Sequence, residues 1–153
     1  MDYYFRKTTD YSFEEAIEKV TGLLKEEGFG VLFRINMDET LKAKIGADFH
    51  RYTTLGACNP KFAFKALTSE NMIGLMLLPC NVVVSETPDG KVEVAAIDAV
   101  QSMLAVENPV VKETAAQISS KLKIVISRLE GSVNSHHKIN QNTEHHEYHN
   151  NYH

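Results

Sequence analysis

After Gly131 the chain stops supplying material for a core, and that break bounds the fold it can build. Residues 132–153 carry six of the seven histidines and five asparagines, with Val133 and Ile139 as the only aliphatic side chains. Such a segment cannot bury enough apolar surface to offset the entropy lost on ordering it. Residues 1–131 are therefore read as a single α+β domain and residues 132–153 as a His/Asn-rich C-terminal tail.

Within the domain the apolar pattern alternates between strand and helix periods. Residues 2–8 are aromatic and β-branched and suit a first strand. Ser12-Phe13-Glu14-Glu15 reads as a capping box, with Phe13, Ile17, Val20, Leu23 and Leu24 on one helical face and Gly28 as the stop. Residues 30–36 form a second strand, Asp38 caps a short helix ended by Gly46, and residues 52–57 form a third strand. Asn59-Pro60 opens the next helix, because proline at the first turn has no amide to satisfy. Residues 75–86 are expected as one long strand, turning through Thr87-Pro88-Asp89-Gly90 into residues 91–97. Asn108-Pro109 starts a last helix whose stripe is Val111, Ala115, Ile118, Leu122, Val125 and Leu129.

Composition narrows the partners. The chain is 43% hydrophobic and 24% charged, as globular proteins are, with a net charge of −4 and no block of Lys and Arg. Phosphate binding needs clustered positive charge, so nucleic acid is not expected as a partner. The apolar run from Leu75 to Val84 is too short to span a bilayer and contains Pro79, and no signal-like segment opens the chain. The reading is a cytoplasmic protein, not membrane-bound, with Cys58 and Cys80 as thiols.

Two stretches, residues 55–63 (Leu-Gly-Ala-Cys-Asn-Pro-Lys-Phe-Ala) and 77–84 (Leu-Leu-Pro-Cys-Asn-Val-Val-Val), resemble the domain of unknown function 302 family. Gly28-Phe29-Gly30-Val31 before a strand and the Lys42-to-Gly46 turn fit the same layout, and the resemblance spans residues 1–131. It implies a two-layer, TATA-binding-protein-like fold, with helices packed on one side of an antiparallel sheet. It also implies a homodimer, and haem as a ligand held between subunits. Fold analogy does not import DNA binding.

The candidate sites follow from residue chemistry. Cys58 and Cys80 each precede an asparagine near a strand end, and a helix starting at Asn59 would lower the Cys58 pKa toward a reactive thiolate. They read either as a thiol redox pair or soft-metal site, or as two small buried residues. His50 is the domain's only histidine, available as an axial haem or metal ligand or simply solvated. Arg51 and Tyr52 beside it suit a carboxylate or propionate, and Met76 and Met103 are softer ligands or core gap-fillers. In the tail, His145, His149 and His153 share one helical face if it coils, His146 lies beside them, and His136-His137 add imidazoles. Such a set suits Zn²⁺, Ni²⁺ or Cu²⁺.

Three functions are consistent with these residues. One is a homodimeric binding protein with a cleft, lined by Leu77, Val83 and Met103, for haem or another flat apolar ligand. Another is a thiol-based redox or transition-metal-handling protein using Cys58 and Cys80. The third is a structural partner module without a small ligand. No nucleophile elbow, zinc-protease helix or phosphate-cradling loop singles out a reaction.

Overall fold

The computed structural model describes residues 2–76 and 79–131. Five strands, β1 (Tyr4–Thr9), β2 (Gly30–Asn36), β3 (Tyr52–Cys58), β4 (Cys80–Glu86) and β5 (Val92–Ile97), form one antiparallel sheet. Its spatial order is β1-β5-β4-β3-β2, which puts the first strand at one edge beside the last. The helices are α1 (Phe13–Glu26), α2 (Met37–Ile45), α3 (Pro60–Ser69), α4 (Ala99–Ser102) and α5 (Pro109–Ser127).

Local signals place the helix ends. Ser12 Oγ accepts from Glu15 N at 3.2 Å, and the chain leaves α1 through Gly28 at φ 90°. Asn108 Oδ1 accepts from Val110 N and Val111 N, capping α5 ahead of Pro109. Every residue of the expected α5 stripe, from Val111 to Leu129, is buried. The turn at residues 87–90 closes as a hairpin, with Thr87 N donating to Lys91 O at 2.9 Å. α2 differs from its reading: its cap position is Asn36, and Asp38 instead accepts from Tyr52 N at 3.2 Å.

The core lies between the sheet and α1, α3 and α5. Side chains alternate along strands, so Val82 and Val84 of β4 meet Leu55 of β3 and Val94 and Ala96 of β5 beneath the helices. At the β1 edge Lys7 Nζ donates to Ser127 O and Leu129 O, both at 2.9 Å, tying the end of α5 to the sheet.

The long strand expected over residues 75–86 is not what the chain forms. Residues 71–75 make a 3₁₀ turn, and β4 begins only at Cys80, after Pro79. Leu75 is 79% exposed and Met76 44%, so neither takes the place in a covered strand that the expectation gave it. Proline has no amide for a ladder, which fits pairing that starts after it. Leu77 lies outside the described residues, as does the whole tail with His136, His137, His145, His146, His149 and His153.

Candidate functional site on the far face of the sheet

The sheet face turned away from α1, α3 and α5 is built from alternate residues in three cross-strand rows. Thr8, Glu93, Ser85 and Tyr52 form one row, and Arg6, Ala95, Val83 and Thr54 the next. Tyr4 pairs with Ile97 in the third. Ala95 and Val83 are small, and the rows on either side carry tyrosines. A hollow of about 230 Å³ results, lined by Tyr3, Tyr4, Tyr52, Val83, Ser85 and Glu93 among others.

One of its lining residues, Glu93, belongs to an ion pair. Arg6 Nη1 reaches Glu93 Oε2 at 2.8 Å, and both side chains are buried, at 1% and 9% exposure. The rings of Tyr3 and Tyr4 meet edge to face, with centroids 4.9 Å apart at 63°. Burial pushes the Tyr4 phenol up to about 12; Arg6 opposes the rise, and Glu93, Asp2 and Tyr3 add to it. Burial likewise raises the Tyr52 phenol, with Tyr3 and Glu93 acting in the same direction. Near pH 7 these phenols are therefore hydrogen-bond donors, not anions.

The candidate residues read from the sequence do not assemble into one site. Tyr52 lines the hollow, and His50 stands beside it, its ring centroid 3.9 Å from Phe49 and 6.0 Å from Tyr52, outside the lining. Arg51 sits on the helix side, 4.2 Å over the Phe13 ring, and donates to Glu14 Oε2 at 3.1 Å. Its carboxylate partner thus comes from its own chain. Glu14 also accepts from Arg34, and that hydrogen bond holds its carboxyl below the usual value. Met103 is buried in the core and Val83 belongs to the far face, so these two do not share the expected cleft.

β3 and β4 are neighbours, and Ala57 pairs with Cys80. Cys58 is one residue further along, so alternation directs it to the face opposite Cys80. The lowered thiol pKa expected of Cys58 is not found. Burial raises it, and burial, with Cys58 nearby, pushes Cys80 up to about 12. The rise at Cys58 has desolvation as its cause, which penalises the thiolate directly. Asn59 is structural: its Nδ2 donates to Glu27 O at 3.2 Å, joining the start of α3 to the end of α1. Among the described residues no group of three or more His, Cys, Asp or Glu is placed to hold a metal ion.

Sequence reading missed Tyr3, Tyr4, Arg6, Ser85 and Glu93. The opposite charges of Arg6 and Glu93 were visible, but 87 positions separate them, and only the pairing of β1 with β5 brings them together.

The family model described as domain of unknown function DUF302 matches residues 5–129. The chain belongs to the DUF302 family. A solved structure, described as an uncharacterized conserved DUF302 protein from Bacillus stearothermophilus, is similar at 29% identity with a TM-score of 0.78. That match covers 85% of this chain and 100% of the other. No curated protein matches the chain. Among the described residues of this DUF302 domain, no helix is long and apolar enough to cross a membrane.

Haem, which the family resemblance implied, does not fit the hollow of one chain. Its volume falls below the roughly 300–1,000 Å³ of sites for drug-sized ligands. Its lining carries the Glu93 carboxylate, no Lys, Arg or His among the described residues lines it to meet propionates, and His50 lies against Phe49 outside it.

Proposed function

We propose that this DUF302 domain is a binding protein, working as a homodimer, that takes a small, largely apolar molecule on the far face of its sheet. The observation that carries this reading is the far-face hollow, with an apolar floor of Ala95 and Val83 and polar groups converging at its walls. Concave, mostly apolar surfaces with a few placed polar groups are how proteins hold small molecules. Support for self-association comes from the neighbouring edge strand, where Leu32, Phe33 and Ile35 are 65%, 38% and 42% exposed. Contiguous exposed apolar surface of this kind marks contact sites.

The test is a titration of the full chain with N-phenyl-1-naphthylamine, an uncharged flat probe that fluoresces when shielded from water. Saturable binding, abolished by Ala95→Phe with the fold intact by circular dichroism, is the expected result. Non-saturating uptake, or uptake indifferent to Ala95→Phe, overturns the ligand reading. A mass in sedimentation equilibrium that stays at one chain over a wide concentration range overturns the homodimer.

A further inference from the structure

The hollow's chemistry narrows its ligand class, on the reading that this hollow is where the domain binds. We infer that it takes a small organic cation, an ammonium carrying alkyl groups, seated among Tyr3, Tyr4 and Tyr52 with its charge toward Glu93. Three observations converge on that class.

First, the walls are aromatic. Tyr3 and Tyr4 stand edge to face at 63°, so one ring presents its side to the other's face, and Tyr52 enters from β3 two strands away from β5. Ring faces attract cations through their quadrupole, and the attraction grows where water is displaced.

Second, the described lining carries a carboxylate and no cation. Glu93 is its only charged lining residue among those described, and no Lys, Arg or His is among them. Arg6 is not in the lining, but it pairs with Glu93 at 2.8 Å, and its charge acts on Tyr4 ahead of those of Glu93 and Asp2. A carboxylate, sulfonate or phosphate ligand would still meet Glu93 with no cation among the described lining residues to receive it.

Third, the floor is apolar and small. Ala95 and Val83 pair directly across β5 and β4, leaving room for methyl groups beneath the rings. Alkyl groups around a positive nitrogen suit a floor that offers no hydrogen bond and walls that offer π faces.

The test uses choline, its uncharged isostere 3,3-dimethylbutan-1-ol and the anion 3,3-dimethylbutanoate, each titrated into the full chain and followed by the tyrosine ring signals in nuclear magnetic resonance. Choline is expected to bind about tenfold or more tightly than the alcohol, the anion not to bind, and choline to displace N-phenyl-1-naphthylamine. Equal affinity for choline and the alcohol overturns the cation class while leaving a binding hollow in place. Binding by none of the three, with the naphthylamine still held, overturns it as well. Failure of the naphthylamine too removes the binding reading itself. Glu93→Gln is expected to lower choline affinity, but it also disturbs Arg6, so Tyr52→Leu provides a second route. That variant should lose choline and keep the naphthylamine, and retention of choline at wild-type affinity would refute the aromatic seat.

Discussion

Arg6 and Glu93 form a buried ion pair at 2.8 Å that crosses diagonally between the first and last strands, on the face away from the hydrophobic core. Removing one partner leaves the other charge buried without its counter-charge, a loss of about 3–5 kcal/mol. Arg6→Met and Glu93→Gln should each lower the urea midpoint sharply. Arg6→Met with Glu93→Leu should recover most of that loss, because an apolar pair carries no desolvation cost. A double variant as unstable as the sum of the singles would show that the pair's worth is not electrostatic.

Alkali should unfold the domain through its buried acids. The Cys80 thiol titrates at about 12 in the fold against 9.0 ordinarily, and the Tyr4 phenol at about 12 against 10.0. Both folded values are raised, so the folded state holds these protons more tightly than the unfolded one. The associated stability is complete below pH 9 and is lost as pH rises from 9 toward 12. Stability measured by urea at pH 8, 9.5 and 11 should fall in that order, and Cys80→Ala should flatten the first part of the decline. The same thiol should resist iodoacetamide at pH 8 while Cys58, raised less, reacts first; equal rates would contradict the burial difference.

Much of this fold was legible because its signals are local. Ser12, Asn108-Pro109 and Thr87-Pro88-Asp89-Gly90 act on their immediate neighbours, and the α5 stripe repeats at helical spacing, so each could be read without knowing the rest. The site was not legible for the opposite reason. The hollow exists because Ala95 and Val83 fall in one row between rows bearing Tyr4 and Tyr52, and that register joins strands from both ends of the domain. The apolar run from Leu75 misled because hydrophobicity without alternation fits the 3₁₀ turn that ends at Leu75 as well as a strand. The residues singled out for reactivity, Cys58, Cys80 and Met103, drew attention by chemical type, which does not report the face on which a side chain lands.

Gly28 and Asn59 should behave as a coupled pair. Gly28 sits at φ 90°, where a side chain costs about 1–2 kcal/mol. A Cβ there would also approach Asn59 Nδ2 to 3.1 Å and disturb its bond to Glu27 O. Asn59→Ala alone should cost about 1 kcal/mol for the lost hydrogen bond. Gly28→Ala should therefore cost more in the native chain than in the Asn59→Ala background, where only the backbone strain remains. Equal costs in the two backgrounds, measured by urea denaturation, would show the two residues to be independent.

Phe33 and Gly56 give a prediction in which the sign itself changes. They are register partners on β2 and β3, next to an irregularity between Val31 and Phe33 that leaves Leu32 without a partner in the ladder. The Phe33 ring lies so close over Gly56 that an added Cβ would come within 2.3 Å of its Cε2. A ring resting on a bare strand glycine covers backbone that no side chain protects, and glycine here is what admits it. Gly56→Ala must push the ring outward. Phe33 is 38% exposed, so the ring can swing away without disrupting the core, and the cost should be modest, about 1 kcal/mol. With Phe33→Ala already in place the obstruction is gone. Alanine then replaces glycine within a strand, where glycine is the less stable by about 0.5–1 kcal/mol. Gly56→Ala should accordingly destabilise the native chain and stabilise the Phe33→Ala chain. A destabilising effect of equal size in both backgrounds would mean that Gly56 is required by the backbone and not by the ring above it.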